Sequence, residues 1–230
     1  MNEKKAVVTQ NLEKIYHTKT DIVHALKGIS IQIQKGNMVA VMGPSGSGKS
    51  TFLHLLGGLD RPTKGKVYID ETDIFSLSDN QLAKFRNQKI GFVFQFHYLL
   101  PELTALENVL VPVKLYQKNK TTNNKAYNLL KELGLEKRID HLPSQLSGGE
   151  QQRVAIARAI INSPDIILAD EPTGNLDSKN TQKVMNILKE LNEKKNTTIV
   201  IATHDKEVAK YCKYILHMKD GKIVNKESIS

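Results

Sequence analysis

With 230 residues, 40% of them hydrophobic and 25% charged, the chain has the composition of an ordinary globular domain with enough apolar material for one core. No apolar run approaches the roughly 20 residues a membrane-spanning helix needs. The opening Met1-Asn2-Glu3-Lys4-Lys5 is too charged for a signal-peptide core, and lone Cys212 excludes an internal disulfide framework, so a cytosolic protein is expected. The net charge of +9 admits nucleic acid, an anionic membrane surface or a phosphate-rich ligand, but the lysines are scattered rather than gathered in one basic, aromatic stripe. This distribution does not favour nucleic acid as a partner.

The first clear element is Ile29-Ser30-Ile31-Gln32-Ile33-Gln34, whose apolar/polar alternation predicts a strand with one wet face. The Lys35-Gly36-Asn37 turn after it suggests an antiparallel hairpin with Met38-Val39-Ala40-Val41-Met42, a stretch apolar enough to be covered on both faces. That stretch runs into Gly43-Pro44-Ser45-Gly46-Ser47-Gly48-Lys49-Ser50, a full match to the phosphate-binding loop, followed by a helical run from Thr51 to Leu56. The loop chemistry predicts a phosphate chain and Mg²⁺ as ligands. Glycines let backbone N–H groups face the phosphates, Lys49 reaches the β and γ phosphates, and the Ser50 hydroxyl is placed for Mg²⁺.

From about Phe96 to Pro143 no buried-strand pattern occurs, and the segment reads as an inserted, mostly helical subdomain with an Asn/Lys-rich stretch at Lys118 to Lys125. Ala126, Leu129, Leu130 and Leu133 fall on one helix face, closed by Gly134. Leu146-Ser147-Gly148-Gly149-Glu150-Gln151-Gln152-Arg153 is a second glycine loop opening a helix. Ser147 and Glu150 have capping-box spacing, but a capping box does not call for two glycines, and exposed N–H groups at a helix start attract anions.

Ile166-Ile167-Leu168-Ala169 and Ile199-Val200-Ile201-Ala202 are continuous apolar runs ending in Asp170-Glu171 and Thr203-His204, with a helical pattern at Val184, Ile187, Leu188 and Leu191 between them. Buried strands alternating with helices predict a parallel α/β sheet, in which ligands collect beyond the carboxyl ends of the strands. Side chains of consecutive strand residues point to opposite faces, which gives the two acids separate tasks: Asp170 on Mg²⁺, Glu171 as the general base that polarises the attacking water.

Taken together, these motifs make the chain resemble an ABC-transporter nucleotide-binding subunit over nearly its whole length. They stand in that family's order: the phosphate loop, a glutamine loop at Gln95, the Leu146 to Arg153 signature, the Asp170-Glu171 strand, Asn175-Leu176-Asp177 and the switch histidine His204. The resemblance implies an α/β phosphate-loop NTPase core with a mostly parallel sheet, an antiparallel β subdomain and an inserted helical subdomain. As one domain over 1–230, it divides into core at 1–95 and 155–230 and helical subdomain at 96–154. The resemblance further implies that two copies pair head to tail around two ATP molecules. Each ATP then lies between the phosphate loop (Gly43 to Ser50, with Thr51) of one copy and Ser147, Gly148, Gly149 and Gln151 of the other.

By the same resemblance Tyr16 stacks on adenine, Gln95 senses Mg²⁺ and the attacking water, His204 contacts the γ-phosphate, and Asp177 ties the two sites across the dimer interface. The aromatic stretch Phe92 to Pro101 either docks a membrane partner or fills the subdomain core. The segments Phe96 to Val109 and Ala169 to Asp177 are similar to the branch that includes lipoprotein-releasing and macrolide-export ATPases, with peptide-antibiotic resistance transporters nearby, which act with a separate integral membrane permease subunit. The implied location is the cytoplasmic face of the membrane. The short tail after Lys222-Ile223-Val224 and the His141-Leu142-Pro143-Ser144-Gln145 segment before the signature suggest a minimal, separate subunit. A phosphate-loop kinase would lack the signature. The alternative is a soluble ABC ATPase acting on DNA ends, ribosomes or an iron–sulfur assembly scaffold; those on DNA would bring a long coiled coil and those on ribosomes two motif sets, neither of which this chain shows.

Overall fold

The computed structural model describes residues 4–18, 20–115 and 122–229. In chain order the elements are β1 (Lys5–His17), β2 (Ile22–Ile29), β3 (Gln32–Gln34), β4 (Met38–Met42), α1 (Lys49–Leu56), β5 (Lys64–Ile69) and β6 (Thr72–Asp73). There follow α2 (Asp79–Lys89), β7 (Ile90–Phe94), α3 (Ala105–Lys114), α4 (Thr122–Glu132), α5 (Gly148–Ile160) and β8 (Ile166–Asp170). The chain closes with α6 (Ser178–Lys195), β9 (Thr198–Thr203), α7 (Lys206–Ala209), β10 (Tyr214–Lys219) and β11 (Lys222–Ser228). Among the described residues no helix is long and apolar enough to cross a membrane.

The strands form two sheets. One has the order β11-β10-β4-β9-β8-β7 and is parallel from β10 to β7, with β11 antiparallel at its edge. Its central strands are apolar on both faces because each face meets its own core. Met38, Ala40, Met42, Ile167, Ala169, Ile199 and Ile201 pack towards the cluster built with α3, α4, α5 and α6, while Val39, Val41, Leu168, Val200 and Ala202 pack towards α1 and the second sheet. That second sheet is antiparallel, ordered β2-β1-β5-β6 with β3 also paired to β1.

The expected hairpin does not form. β3 pairs with β1, with Lys5 opposite Gln34 and Val7 opposite Ile33, whereas β4 lies in the other sheet between β10 and β9. The Lys35-Gly36-Asn37 turn therefore carries the chain from one sheet to the other. The wet-faced strand suits the open antiparallel sheet and the fully buried strand suits the covered parallel one, so their different patterning marks two sheets rather than two sides of a hairpin.

Between β7 and α5 the described residues carry α3 and α4 and no strand. Thr104 opens α3 with a capping box to Glu107, and buried Asn108 folds the preceding turn by donating to the carbonyls of Leu100, Leu103 and Thr104. α4 ends before Gly134, whose φ of +71° makes the left-handed turn that terminates it. Of the Lys118 to Lys125 stretch, the positions through 121 lie outside the described residues. α5 runs unbroken across positions 154 and 155, so the expected boundary between helical subdomain and core falls inside one helix.

On α6, Leu188 is fully buried in the core cluster beneath the parallel sheet. Leu188→Ala removes its packing and leaves a cavity, with an expected loss of about 2–5 kcal/mol of stability. The midpoint of a urea titration, at unchanged slope, measures it.

Candidate nucleotide site

Three carboxyl ends of adjacent strands, β4, β8 and β9, deliver the phosphate loop, Asp170-Glu171 and Thr203-His204 to one edge of the parallel sheet. A cavity of about 920 Å³ opens there, and its walls include Tyr16, Lys49, Ser50, Gln95, Glu171 and His204. Ser45, Gly46, Gly48 and Thr51 also face it. Gly43, Pro44, Ser47 and Asp170 are neighbours of these residues in the chain and do not line the cavity.

The loop's backbone is specific to glycine at its last turn. Gly48 is the N-cap of α1 with φ +104°, and a Cβ there would stand 2.6 Å from the Ala25 carbonyl oxygen. α1 thereby starts at Lys49, two residues earlier than the apolar pattern suggests, and its free N–H groups face the cavity. Lys49 is largely buried, and its Nζ donates to the carbonyls of Gly43 at 2.8 Å and Pro44 at 3.1 Å. Ser47 Oγ is buried with no hydrogen-bond partner. Desolvation without a partner costs about 1–3 kcal/mol, a cost that a phosphate oxygen within reach would remove.

Asp170 closes β8, and its Oδ1 is likewise buried and without a partner. Burial pushes the carboxyl above the usual carboxylate range, an effect partly offset by a hydrogen bond from Ser50 and by the charges of His54 and Lys49. A buried carboxylate oxygen lacking a donor, beside a serine hydroxyl, is a donor set that suits a hard divalent cation.

Glu171 does not owe its direction to strand alternation. β8 ends at Asp170, and Glu171 has φ +46°, a left-handed conformation that turns its side chain into the cavity. Its N–H donates to the Ala202 carbonyl at 2.9 Å. Oε1 lies 2.9 Å from His204 Nδ1, and Oε2 accepts from Thr203 Oγ1 at 3.3 Å. The carboxylate is thus held from both sides by β9 and its exit.

Gln95 follows β7, a strand whose sequence lacks a continuous aliphatic run. Its Nε2 donates to Asn175 Oδ1 at 3.2 Å, and Asn175 Nδ2 donates back to the Gln95 carbonyl at 3.4 Å. This reciprocal amide pair joins two loops 80 positions apart, and nothing local in sequence signals it. Tyr16 stands at the cavity mouth on β1. Its hydroxyl donates to Asp60 Oδ2 at 2.8 Å, and burial together with this carboxylate raises its pKa.

The signature residues lie outside this cavity. Ser147 is the N-cap of α5: its Oγ accepts from the Glu150 N–H at 3.3 Å while Glu150 Oε2 accepts from the Ser147 N–H at 2.8 Å. Gln151 Nε2 ties the turn down by donating to the carbonyls of Pro143 and Leu146. Gly149 packs so closely on the first turn of α6 that a Cβ would stand 2.7 Å from the Asn180 side chain. Asp177 caps α6, with Oδ1 accepting from the Asn180 N–H at 2.7 Å and Oδ2 from Asn180 Nδ2 at 2.9 Å. Ser147, Gly148 and Asp177 are exposed. The chain therefore carries a phosphate-binding cavity and, apart from it, an exposed helix N-terminus flanked by glycine and serine.

The aromatics after β7 do not fill a core. Phe96 is 65% exposed and Tyr98 64%, with Phe94 edge-on to Tyr98 at 5.3 Å. Arg158 of α5 reaches under this segment and donates to the carbonyls of His97 and Tyr98 at 2.7 and 2.6 Å. A groove of about 420 Å³ lies beside it, walled by Leu59, Phe92, Phe94, Pro112 and Leu115.

Comparison with known proteins agrees with this geometry. The family model described as ABC transporter matches residues 26–174. The lipoprotein-releasing system ATP-binding protein LolD of Legionella pneumophila (strain Paris) is 49% identical over 222 residues, covering 96% of this chain and 98% of its own. The uncharacterised ABC transporter ATP-binding protein MJ0796 of Methanocaldococcus jannaschii is 48% identical, with 96% of each chain covered. Among solved structures, a dimer of MJ0796 in a post-hydrolysis state bound to ADP and Pi superposes with a TM-score of 0.91 at 47% identity, covering 97% of this chain and 99% of the other.

Proposed function

Since the chain belongs to the ABC transporter family, we propose that it is an ATP-hydrolysing subunit that closes as a homodimer around two Mg-ATP to drive a separate membrane permease of the lipoprotein-releasing type. The observation that carries this reading is the separation of the two halves of the site. The phosphate loop and Glu171 line one cavity, while the exposed signature turn at Ser147 and Gly148 lies outside it, so a γ-phosphate can meet both only when a second copy supplies the signature. The 49% identity to LolD over nearly the whole of both chains supports the choice of permease class.

When ATP enters, Lys49 exchanges its bonds to the Gly43 and Pro44 carbonyls for the β and γ phosphates, and the Ser47 hydroxyl gains an acceptor. Tyr16 stacks on the adenine. Ser50, Asp170 and Gln95 would hold Mg²⁺, which supplies charge neutralisation across the β and γ phosphates. Glu171 takes the proton of the attacking water as general base, and His204, now beside its carboxylate, turns to the γ-phosphate. Ser147, Gly148 and Gly149 of the second copy present the N-terminus of α5 to the same phosphate, where N–H groups and helix dipole favour the anion. Gln151 holds that turn in shape, and Asp177 lies at the dimer interface. The closing of the two copies is the mechanical output.

The permease docks in the groove beside Phe96 and Tyr98, which places the subunit peripherally on the cytoplasmic face of the membrane. An exposed aromatic segment held by Arg158 and leading back to Gln95 links that surface to the nucleotide site. The test is affinity purification of tagged Glu171→Gln protein from detergent-solubilised membranes of its host. Co-purification of an integral membrane chain with few spans and a large extracytoplasmic domain is expected. Recovery of soluble or ribosomal partners alone would overturn the transport reading and leave the ATPase chemistry standing.

A further inference from the structure

Tyr16 is held more firmly than a stacking residue at a cavity mouth needs to be. Its hydroxyl donates to Asp60 Oδ2 at 2.8 Å, while the other carboxylate oxygen accepts from Lys14 Nζ and from the Arg61 N–H, each at 2.7 Å. Lys14 Nζ also donates to the Arg61 carbonyl at 2.8 Å and lies 4.8 Å from the centroid of the Tyr16 ring. The Lys14 side chain is only 13% exposed, unlike the solvated surface pairs that contribute little. Burial opposes the charge on Asp60, yet the bonds from Lys14, Tyr16 and the Arg61 backbone hold its carboxyl below the usual range.

The geometry divides the ring's surfaces among tasks. The ammonium of Lys14 covers the ring in a cation–π contact, and the hydroxyl is tethered at the ring's edge. The residue also lines the cavity. Asp60 follows α1, the helix that carries Lys49, Ser50 and Thr51, so the tether fixes a residue of β1 relative to the phosphate loop across two different sheets.

We infer that Asp60 and Lys14 are positioning residues that lock Tyr16 as a preformed platform for the nucleotide base, and so set the affinity for ATP rather than the rate of its hydrolysis. The inference rests on the reading of Tyr16 as the base platform. Without the tether, the tyrosine must be immobilised at each binding event, a cost corresponding to about a three- to tenfold weaker affinity.

The test combines steady-state hydrolysis with binding of two probes, ATP and inorganic tripolyphosphate, the second of which has no base. Asp60→Ala is expected to raise KM for ATP about three- to tenfold with kcat within about twofold and tripolyphosphate affinity unchanged. Tyr16→Phe, which keeps the ring and removes the hydroxyl with its bonds to Asp60 and Thr51, should raise KM likewise, and it stands in should Asp60→Ala fail to fold. In a Tyr16→Ala background, Asp60→Ala should add nothing further. Normal ATP affinity in Asp60→Ala and Tyr16→Phe would overturn the inference, as would an equal loss for tripolyphosphate or an undiminished effect of Asp60→Ala without the ring. Normal KM in Tyr16→Ala would instead overturn the reading of Tyr16 as the platform.

Discussion

Replacing Glu171 with glutamine leaves ATP binding intact and cuts hydrolysis by about 10²-fold or more, the range expected when a general base is removed. The substitution is informative because it is nearly isosteric. Glutamine keeps an acceptor for the Thr203 hydroxyl and a polar partner for His204, so the contacts that hold the side chain survive. The left-handed backbone at position 171 and the N–H bond to Ala202 do not depend on the carboxylate. Only the capacity to take a proton is lost. Phosphate release and nucleotide binding, measured on the same preparation, separate the two effects. Turnover within a few-fold of the wild type would remove Glu171 from the role of base and leave the site without one.

Ser147→Asp should abolish ATP-dependent dimerisation while sparing nucleotide binding to the monomer. Most substitutions at this position confound two effects, since Ser147 is also the N-cap of α5. Aspartate is as good a cap as serine, so α5 and its capping box persist. What changes is the charge offered to the second copy: a carboxylate now stands where the γ-phosphate must approach. In the Glu171→Gln background, light scattering should find monomers at ATP concentrations that dimerise the parent, with monomer ATP affinity within about twofold. A dimer that still forms on ATP addition would refute the assignment of Ser147 to the shared site.

What was legible in the sequence was what is local. The phosphate loop needs only its own eight residues and the strand before it, and Asp170-Glu171 and Thr203-His204 announce themselves as polar endings of apolar runs. Strand pairing was not legible in the same way. β3 has a neighbouring strand in sequence, β4, and pairs instead with β1, because the choice depends on which face of each strand finds a core. β7 carries no aliphatic run because Gly91 and two half-buried phenylalanines break it, and β10 none because His217 interrupts it. The amide pair between Gln95 and Asn175 and the tether from Tyr16 to Asp60 join positions distant in sequence, and their residue types are ordinary in loops. The direction of Glu171 came from a positive φ that no propensity scale foresees.

The two separate features, a cavity that binds phosphate and an exposed signature turn on the same chain, make a working ATPase only if two copies share them. The direct test is the mass and nucleotide content of Glu171→Gln protein with and without Mg-ATP, by native mass spectrometry. A monomer of 25.8 kDa is expected without nucleotide and, with it, a dimer of twice that mass carrying two ATP. A protein that saturates with ATP as a monomer, or a dimer indifferent to nucleotide, would contradict it.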